Sequence, residues 1–335
     1  MKKYFFAFAA LALLFACNPE NNGNQNNPNE LIVTGEALDI TEYSVTFTGY
    51  ANFPLDFGRA DVGIMYDKDK SFENPRMISA SGLDGNNKFT VTASRLAPST
   101  TYYYKSYVQK DMAREYGAVK SFTTKESKCP AGAVDLEIVM TREDGTTYRL
   151  FWAKSNLCTS GMCANPEDYG DYYAWGETEP KSEYSWDTYK WCDGPKYMTK
   201  YNHEEAYGTV DKKTVLDPED DAAHVVLGGK WRMPTDKEWM ELKKQCKWTW
   251  TTENGVEGHK GVASNGNSIF LPAAGGRENS GLYDVGVECY YWSSSLRHNR
   301  DADTYCAWLF NFYWHRLTDY YARYVGASIR PVSEE

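Results

Sequence analysis

The stretch from Gly228 to Trp239, GGKWRMPTDKEW, limits the possible folds of this chain more than any other. Pro234 ends the strand-like run before it, because proline lacks the backbone N–H that a continuing element needs. Thr235 can then cap a helix, and Glu238 stands three residues later, as a capping box requires. Apolar residues continue at helical spacing: Trp239, Leu242 and Cys246. We therefore expect a capped amphipathic helix with its Lys and Glu side chains on the surface.

The amino-acid composition limits the classes of protein to which this chain can belong. A chain of 335 residues fits about two domains. Hydrophobic residues make up 42% of it, which is enough to form packed cores. The net charge of −10 argues against nucleic acid or an anionic membrane surface as a partner. Aromatic residues reach 15%, which suits β-rich folds and surfaces that bind carbohydrate or protein.

The N-terminus carries a targeting signal. Lys2 and Lys3 precede an apolar run, Tyr4–Phe15, which is too short to cross a membrane as a mature helix. The run ends in LFAC at Cys17, which resembles a bacterial lipobox. The resemblance implies that residues 1–17 are a lipoprotein signal peptide and that Cys17 is diacylated. The alternative is an ordinary signal peptide with a chance cysteine.

The residues after Cys17 bear on location. Residues 18–30 are polar and rich in asparagine, which is typical of a flexible tether. Asn18 stands where an aspartate would retain a lipoprotein at the inner membrane, so we expect an outer-membrane protein at the cell surface. Glu20 is the acidic residue near this end, so the side of the membrane that the body faces stays open. The diacyl lipid on Cys17 is the expected contact between this protein and the membrane.

Residues 31–125 alternate apolar and polar residues in short runs between turns, which is typical of an all-β sandwich. The runs are Tyr43–Tyr50, Ala60–Tyr66, Lys88–Ala93, Thr101–Val108 and Ala118–Thr123. The spacing of Leu96, Pro98, Thr100 and Tyr102 resembles the hallmark of fibronectin type III domains. The resemblance implies a fibronectin type III-like domain acting as a spacer or adhesive module.

Residues 126–133 are predicted to be a linker, and residues 134–335 form a second domain rich in Trp and Gly. Five motifs follow in order: YYAWGE, GGKWRMPTDKEW, LPAAG, YWSSS and GASIRPV. This order resembles the major paralogous domain first described in Fibrobacter and abundant in Bacteroidota. That domain belongs to the C-type-lectin-like group, which includes the formylglycine-generating enzymes. The resemblance implies a C-type-lectin-like α+β domain, so the predicted fold class is mainly β plus α+β.

Catalysis is not expected. Formylglycine-generating enzymes hold copper with a closely spaced cysteine pair near the C-terminus, whereas Cys289 and Cys306 are widely separated here. The G-F-R-C-type ending of that family is replaced by GASIR at Gly326–Arg330. A copper-dependent cysteine oxidase is the alternative, if the two thiols meet in space. A structural subunit of a surface appendage is a further alternative.

No metal or cofactor is predicted. Carboxylates gather between Asp217 and Asp221, as a calcium site requires, but the segment also fits a helix start. In that interpretation Asp217 is the N-cap and Pro218 the first helical residue. The E-P-N and W-N-D triplets of calcium-dependent lectins are missing. Among the cysteines, Cys158 and Cys163 flank a turn and can pair, while buried free thiols are equally compatible with the pattern.

The predicted ligand site is the segment Leu296–Val325. Nine of the twenty residues Tyr305–Tyr324 are aromatic. In C-type-lectin-like domains this segment faces the ligand, and in some relatives retroelements diversify it. The site residues so implied are Arg297, His298, Asn299, Asp301, Tyr305, Trp308, Tyr313, Trp314, His315, Asp319, Tyr320 and Tyr324. We expect a non-catalytic adhesion protein whose partner is a glycan or a host or bacterial surface protein.

Overall fold

The computed structural model describes residues 30–52, 60–110, 112–194, 196–297, 304–312 and 319–335. The predicted lipidation site at Cys17 and the signal peptide lie outside these residues. The described residues separate into two compact units, the first containing the strands from Ile32 to Thr123 and the second those from Ala133 onward. The fold is mainly β, as predicted. No helix among the described residues is long and apolar enough to cross a membrane.

The first unit is a two-sheet β-sandwich. Its strands are β1 (Ile32–Leu38), β2 (Val45–Ala51), β3 (Asp61–Asp67), β4 (Arg76–Ser79), β5 (Lys88–Ala93), β6 (Thr101–Lys110), β7 (Ala113–Tyr116) and β8 (Lys120–Thr123). One sheet has the order β1-β2-β5, and the other the order β4-β3-β6 with β7 and β8 both paired to β6. The ring of Phe47 lies in the core, 4.6 Å from the Tyr104 ring and 5.4 Å from the Phe122 ring. The sequence pattern misses β1, β4 and β7.

The second unit combines short sheets with two helices. Its strands are β9 (Ala133–Thr141), β10 (Thr147–Ala153), β11 (Leu157–Cys158), β12 (Gly161–Met162), β13 (Cys192–Asp193), β14 (Tyr197–Met198), β15 (Trp231–Arg232), β16 (Lys247–Glu253), β17 (Val256–Val262), β18 (Ser268–Pro272), β19 (Gly276–Glu278), β20 (Gly281–Tyr283), β21 (Tyr291–Leu296), β22 (Cys306–Phe310), β23 (Asp319–Ala322) and β24 (Val332–Glu334). The helices are α1 (Ala222–Leu227) and α2 (Asp236–Gln245). The principal sheets have the orders β15-β24-β10-β9, β16-β17-β18 and β21-β22-β23.

Helix α2 begins as the sequence predicts. The Thr235 side chain accepts a hydrogen bond from the Glu238 N–H at 3.2 Å, and the Glu238 carboxylate accepts one from the Thr235 N–H at 2.8 Å. This reciprocal pair is a capping box. Trp239 and Leu242 are fully buried on the apolar face. The Trp239 ring stacks on that of Phe310 with centroids 4.4 Å apart, so the helix packs directly on β22.

The expectation that Glu238 lies on the surface is wrong. Its side chain is buried and accepts two hydrogen bonds from the Arg232 guanidinium, at 2.6 and 2.7 Å. The Tyr148 hydroxyl donates a third at 2.8 Å. Arg232 also pairs with Glu334 at 2.7 Å. A buried carboxylate is stable when it is paired and fully hydrogen-bonded in this way. Arg232 and Glu238 of the GGKWRMPTDKEW motif therefore have a structural role.

This buried pair predicts acid sensitivity. Burial alone would raise the pKa of Glu238, but the bonds from Arg232 hold it below its ordinary value of 4.5. A carboxyl whose pKa is lower in the folded state stabilises the fold above its unfolded pKa and stops doing so as pH falls through its folded pKa. We expect Glu238→Gln to lower the free energy of unfolding by about 3 kcal/mol at pH 7. The difference from the unaltered chain should shrink as pH falls below 4.5.

Urea unfolding followed by tryptophan fluorescence, repeated at several acidic and neutral pH values, measures this effect. The control is Glu241→Gln on the same helix, where the surface pair with Lys244 at 3.3 Å should contribute less than about 0.5 kcal/mol. A stability difference for Glu238→Gln that stays constant with pH would contradict the assignment.

The predicted helix start at Asp217 holds for one 3₁₀ turn only. Asp217 is the N-cap of the turn Pro218–Asp220, without a side-chain capping bond. The α-helix α1 begins after Asp221, whose carboxylate accepts hydrogen bonds from the N–H groups of His224 and Met233. Asp217 instead pairs with Lys200 at 2.6 Å. The remaining carboxylates of this group, Glu219 and Asp220, also face the Lys200 ammonium, at 3.6 and 2.5 Å. Lys200 therefore lies among the acidic residues that resembled a calcium site, and Lys213 and Lys190 also pair with Asp217 and Asp220.

Arg330 of the GASIRPV motif is fully buried and joins three segments of the second unit. Its guanidinium donates four hydrogen bonds to neutral acceptors: Asn156 Oδ1 at 2.8 Å, Lys154 O at 2.8 Å, Ala153 O at 3.2 Å and Phe270 O at 2.8 Å. Burial lowers the pKa of this guanidinium from its usual value. The motif thus has a structural role, because one side chain satisfies backbone carbonyls that no strand pairing reaches.

Cys158 and Cys163 form a disulfide, the local pairing that the sequence allows. Four other cysteines of the described chain are free thiols: Cys129, Cys192, Cys246 and Cys289. Two of them, Cys246 and Cys289, are buried in the apolar core beneath α2. Free buried thiols behave there as small hydrophobic residues, which was the second possibility left open by the sequence.

Candidate functional site

The predicted ligand segment contributes β22 and β23 to the sheet β21-β22-β23. Five predicted site residues have described side chains: Arg297, Tyr305, Trp308, Tyr320 and Tyr324. The others fall outside the described residues, or, for Asp319, outside the described side chains: His298, Asn299, Asp301, Tyr313, Trp314, His315 and Asp319. The described residues form two groups rather than one continuous face.

The first group, the Arg297 stack, consists of Arg297, Trp308 and Tyr320. Trp308 on β22 is the antiparallel partner of Tyr320 on β23, so both rings lie on the same side of the sheet. The guanidinium carbon of Arg297 lies 3.3 Å from the Tyr320 ring centroid and 5.8 Å from that of Trp308. The Tyr320 side chain is 46% exposed. This stack presents a planar cation and an aromatic face to solvent.

The second group, the Trp186 cluster, consists of Trp186, Tyr207, Tyr305 and Tyr324. The Trp186 ring lies edge-to-face with Tyr324 at 4.9 Å and with Tyr305 at 5.7 Å, and Tyr207 contacts Tyr305 at 5.4 Å. Edge-to-face contacts are a favourable geometry for aromatic rings. All four side chains are partly exposed. The cluster is therefore a set of mutually supported rings that reach solvent.

Local structure fixes each ring of the Trp186 cluster. Trp186 begins a 3₁₀ turn, and Tyr305 and Tyr324 flank the paired strands β22 and β23. The Tyr305 hydroxyl donates to the Lys196 carbonyl at 3.1 Å, and the Tyr324 hydroxyl donates to the Glu278 carboxylate. Burial raises the pKa of Tyr305, and burial together with Glu278 raises the pKa of Tyr324 to about 12. Both phenols are therefore neutral hydrogen-bond donors at physiological pH.

Arg323 lies beneath the Trp186 cluster and is fully buried. Its guanidinium donates to Tyr189 Oη at 2.9 Å and to the carbonyls of Lys200, Thr304 and Tyr201 at 3.0, 3.0 and 3.2 Å. The guanidinium carbon also lies 4.9 Å from the Trp175 ring centroid. The Arg323 backbone N–H donates to the Tyr305 carbonyl at 3.0 Å. Arg323 therefore positions the segments that carry Tyr305 and Tyr324.

Sequence reasoning did not select Trp186, Tyr207 or Arg323. Trp186 lies in the aromatic run Tyr184–Trp191, which is far from the predicted segment in sequence. The one sequence feature that marks Trp186 is the local density of aromatic residues. This density does not distinguish buried rings from exposed rings. Arg323 lies inside the segment, but its complete burial depends on carbonyls supplied by distant turns.

The two cysteines of the copper alternative lie far apart along the sheet. Tyr291, two residues after Cys289, pairs with Phe310, whereas Cys306 is four residues away at the other end of β22. Four strand residues span roughly 13 Å. Burial also raises the pKa of the Cys289 thiol, which disfavours the thiolate that binds copper. This arrangement does not bring the two thiols together.

No protein-family model matches this chain, and no curated protein matches it. Among solved structures, the chain is similar to the sensor domain of the anti-sigma factor RsgI4 from Pseudobacteroides cellulosolvens, at 21% identity and a TM-score of 0.25. That match covers 29% of this chain and 94% of the sensor domain. A fibronectin type III domain of human KIAA0970 protein matches at 14% identity and a TM-score of 0.23, covering 33% of this chain and 90% of its own. Scores this low carry no argument about function.

Proposed function

We propose that this chain is a cell-surface lipoprotein that binds a glycan or a protein without catalysing a reaction. Residues 134–335 would be a C-type-lectin-like domain, with the fibronectin type III-like unit at residues 31–125 as its spacer. The observation that carries the proposal is the presence of the Trp186 cluster and the Arg297 stack in the second unit. Tyr305 and Tyr324 of the cluster and all three residues of the stack belong to the segment that faces the ligand in C-type-lectin-like domains, where they supply partly exposed rings and a planar cation.

The physical argument rests on rigidity. Aromatic rings and Arg contribute most strongly to recognition when their conformation is fixed before binding, since little entropy is then lost. The rings of the Trp186 cluster hold one another at 4.9 to 5.7 Å, and the buried Arg323 fixes the chain beneath them. Aromatic faces also stack on the apolar faces of sugars, so the surface suits either class of ligand.

The lipobox-like sequence that ends at Cys17 and the polar sequence of residues 18–30 are the basis for proposing the outer membrane of a Bacteroidota-like cell. We propose that diacylation of Cys17 holds the protein there and that the body acts in adhesion. The cysteine-oxidase alternative is disfavoured by the separation of Cys289 and Cys306 along β22. The appendage alternative predicts self-assembly of the purified protein, which sedimentation measures directly.

A binding screen tests the proposed function. The purified protein is applied to glycan and surface-protein arrays with calcium and with a calcium chelator. For any ligand found, we expect Trp186→Ala and Tyr324→Ala each to weaken binding at least tenfold, about 1.4 kcal/mol, because each removes a ring from the cluster.

The matched control is Trp250→Ala on β16, which removes a 43% exposed tryptophan elsewhere in the same unit. This variant should bind like the unaltered chain. Equal binding by all variants would move the site away from the Trp186 cluster. A screen that finds no ligand, together with self-assembly of the protein, would replace the recognition proposal with the structural one.

A further inference from the structure

A cleft of about 520 Å³ opens in the second unit beside β15 and α1. This volume is within the range of small-molecule sites, roughly 300–1,000 Å³. The cleft shares no residue with the Trp186 cluster or the Arg297 stack. Its lining combines apolar residues, which include Leu216, Pro218 and Trp231, with polar residues, which include His224, Lys230 and Ser294.

Trp231 gives the cleft an available aromatic face. Its side chain is partly exposed, and within the described part of the chain its indole makes no ring contact and no hydrogen bond. Its backbone is nevertheless fixed, because β15 pairs with β24 through Trp231 and Ser333. Trp231 thus combines a fixed backbone with a partly exposed side chain in the lining of the cleft, unlike Trp239, which is fully buried.

Two polar groups at the cleft have bonding capacity left. His224 Nδ1 lies 3.1 Å from the Trp231 carbonyl, which can only accept, so Nδ1 carries the proton. In the tautomer that carries this one ring proton, Nε2 is an acceptor. The exposed Lys230 ammonium makes no hydrogen bond or salt bridge within the ranges described above, and it can donate. The cleft therefore offers both an acceptor and a donor near an aromatic face.

The other charged groups that line the cleft are already hydrogen-bonded. Arg232 is bonded to Glu238 and Glu334, and the Asp221 carboxylate accepts the backbone N–H groups of His224 and Met233. The acidic residues of the lining, Asp221 and Glu334, equal the basic residues, Lys230 and Arg232, in number, which leaves little net charge to attract an ion. A ligand rich in hydroxyl groups, which both donate and accept, matches the remaining groups better than a salt does.

We propose that this cleft binds a pyranose sugar, with one face of the sugar ring stacked on Trp231 and its hydroxyls hydrogen-bonded by His224 and Lys230. The apolar face of a pyranose fits an exposed indole, and its equatorial hydroxyls need partners at the ring edge. This site is additional to the ligand surface proposed above. It does not depend on the Trp186 cluster being a binding site.

The test uses the full-length protein and five free sugars: D-glucose, D-galactose, D-mannose, N-acetyl-D-glucosamine and L-fucose. Saturation-transfer NMR and tryptophan fluorescence report binding at sugar concentrations up to about 20 mM, which covers dissociation constants near 1 mM. We expect at least one sugar to bind saturably. Trp231→Ala should weaken that binding at least tenfold, whereas Trp231→Phe should retain most of it.

Lys230→Met is the second variant, and its exposed position makes misfolding a poor explanation for any effect. It should weaken binding several-fold, about 1 kcal/mol for one lost hydrogen bond. Trp250→Ala should bind the sugar normally. The proposal is overturned if no sugar binds, or if Trp231→Ala and Lys230→Met leave the affinity of a bound sugar unchanged. Sugar binding lost in Trp186→Ala alone would assign it to the Trp186 cluster.

Discussion

Arg330→Ala is expected to lower the free energy of unfolding of the second unit by about 4 kcal/mol, enough to unfold much of it at physiological temperature. The guanidinium supplies donors to Asn156 and to three backbone carbonyls in a fully buried site. Alanine would leave those acceptors without partners and open a cavity. Guanidinium chloride unfolding followed by tryptophan fluorescence measures the loss.

A second substitution separates the hydrogen bonds of Arg330 from its charge, and a third, at a surface arginine, is the control. Arg330→Lys keeps the charge but cannot reach four acceptors in a planar arrangement, so we expect it to lose about half as much stability as alanine. Arg114→Ala on the exposed strand β7 removes an arginine from the surface of the first unit and should change stability by less than about 0.5 kcal/mol. A loss below about 1 kcal/mol for Arg330→Ala would show that water replaces the guanidinium without difficulty.

Arg323→Met should have the second-largest effect, because it removes the support of the proposed ligand surface. We expect a loss of about 3 kcal/mol in stability, since Tyr189 and three carbonyls lose their donor. We also expect a weaker near-ultraviolet circular dichroism signal, because the rings of the Trp186 cluster would no longer be held in one arrangement. Denaturant unfolding and the spectrum of the folded protein test the two effects separately.

Arg297→Met is the matched control for Arg323→Met. Arg297 stacks on the exposed Tyr320 ring at the surface, so its removal should lower stability by less than about 1 kcal/mol. Comparable losses for the two arginines, with an unchanged near-ultraviolet spectrum for Arg323→Met, would contradict the supporting role given to Arg323.

The capped helix shows what the sequence could predict. Thr235 and Glu238 bond each other across one helical turn, so their spacing contains the whole interaction. The burial of Glu238 was not predictable in the same way, because it depends on Tyr148, which reaches the carboxylate from β10. Asp217 and Asp221 show a similar limit. Asp217 precedes a 3₁₀ turn and Asp221 precedes α1, but of the two it is the Asp221 carboxylate that accepts an N–H of its helix, together with the distant Met233 N–H.

The candidate site likewise contains contacts that the sequence could predict and contacts that it could not. Trp308 and Tyr320 lie within one predicted segment, and strand pairing brings them together. Tyr305 and Tyr324 were also predicted, but the residue that joins them, Trp186, comes from a part of the chain more than one hundred positions earlier. Aromatic density in a sequence does not show which rings share a surface. Only the packing of the intervening turns does so.

The position of β24 has a consequence for how such a chain is made. This strand lies between β10 and β15, and β10 is also paired with β9 near the beginning of the second unit. A ribosome delivers β9 and β10 nearly two hundred residues before β24. Until then the edge of β10 stays open, and Arg330 is not yet present to bond its carbonyls. The second unit can thus complete this sheet only after the residues up to β24 have been synthesised.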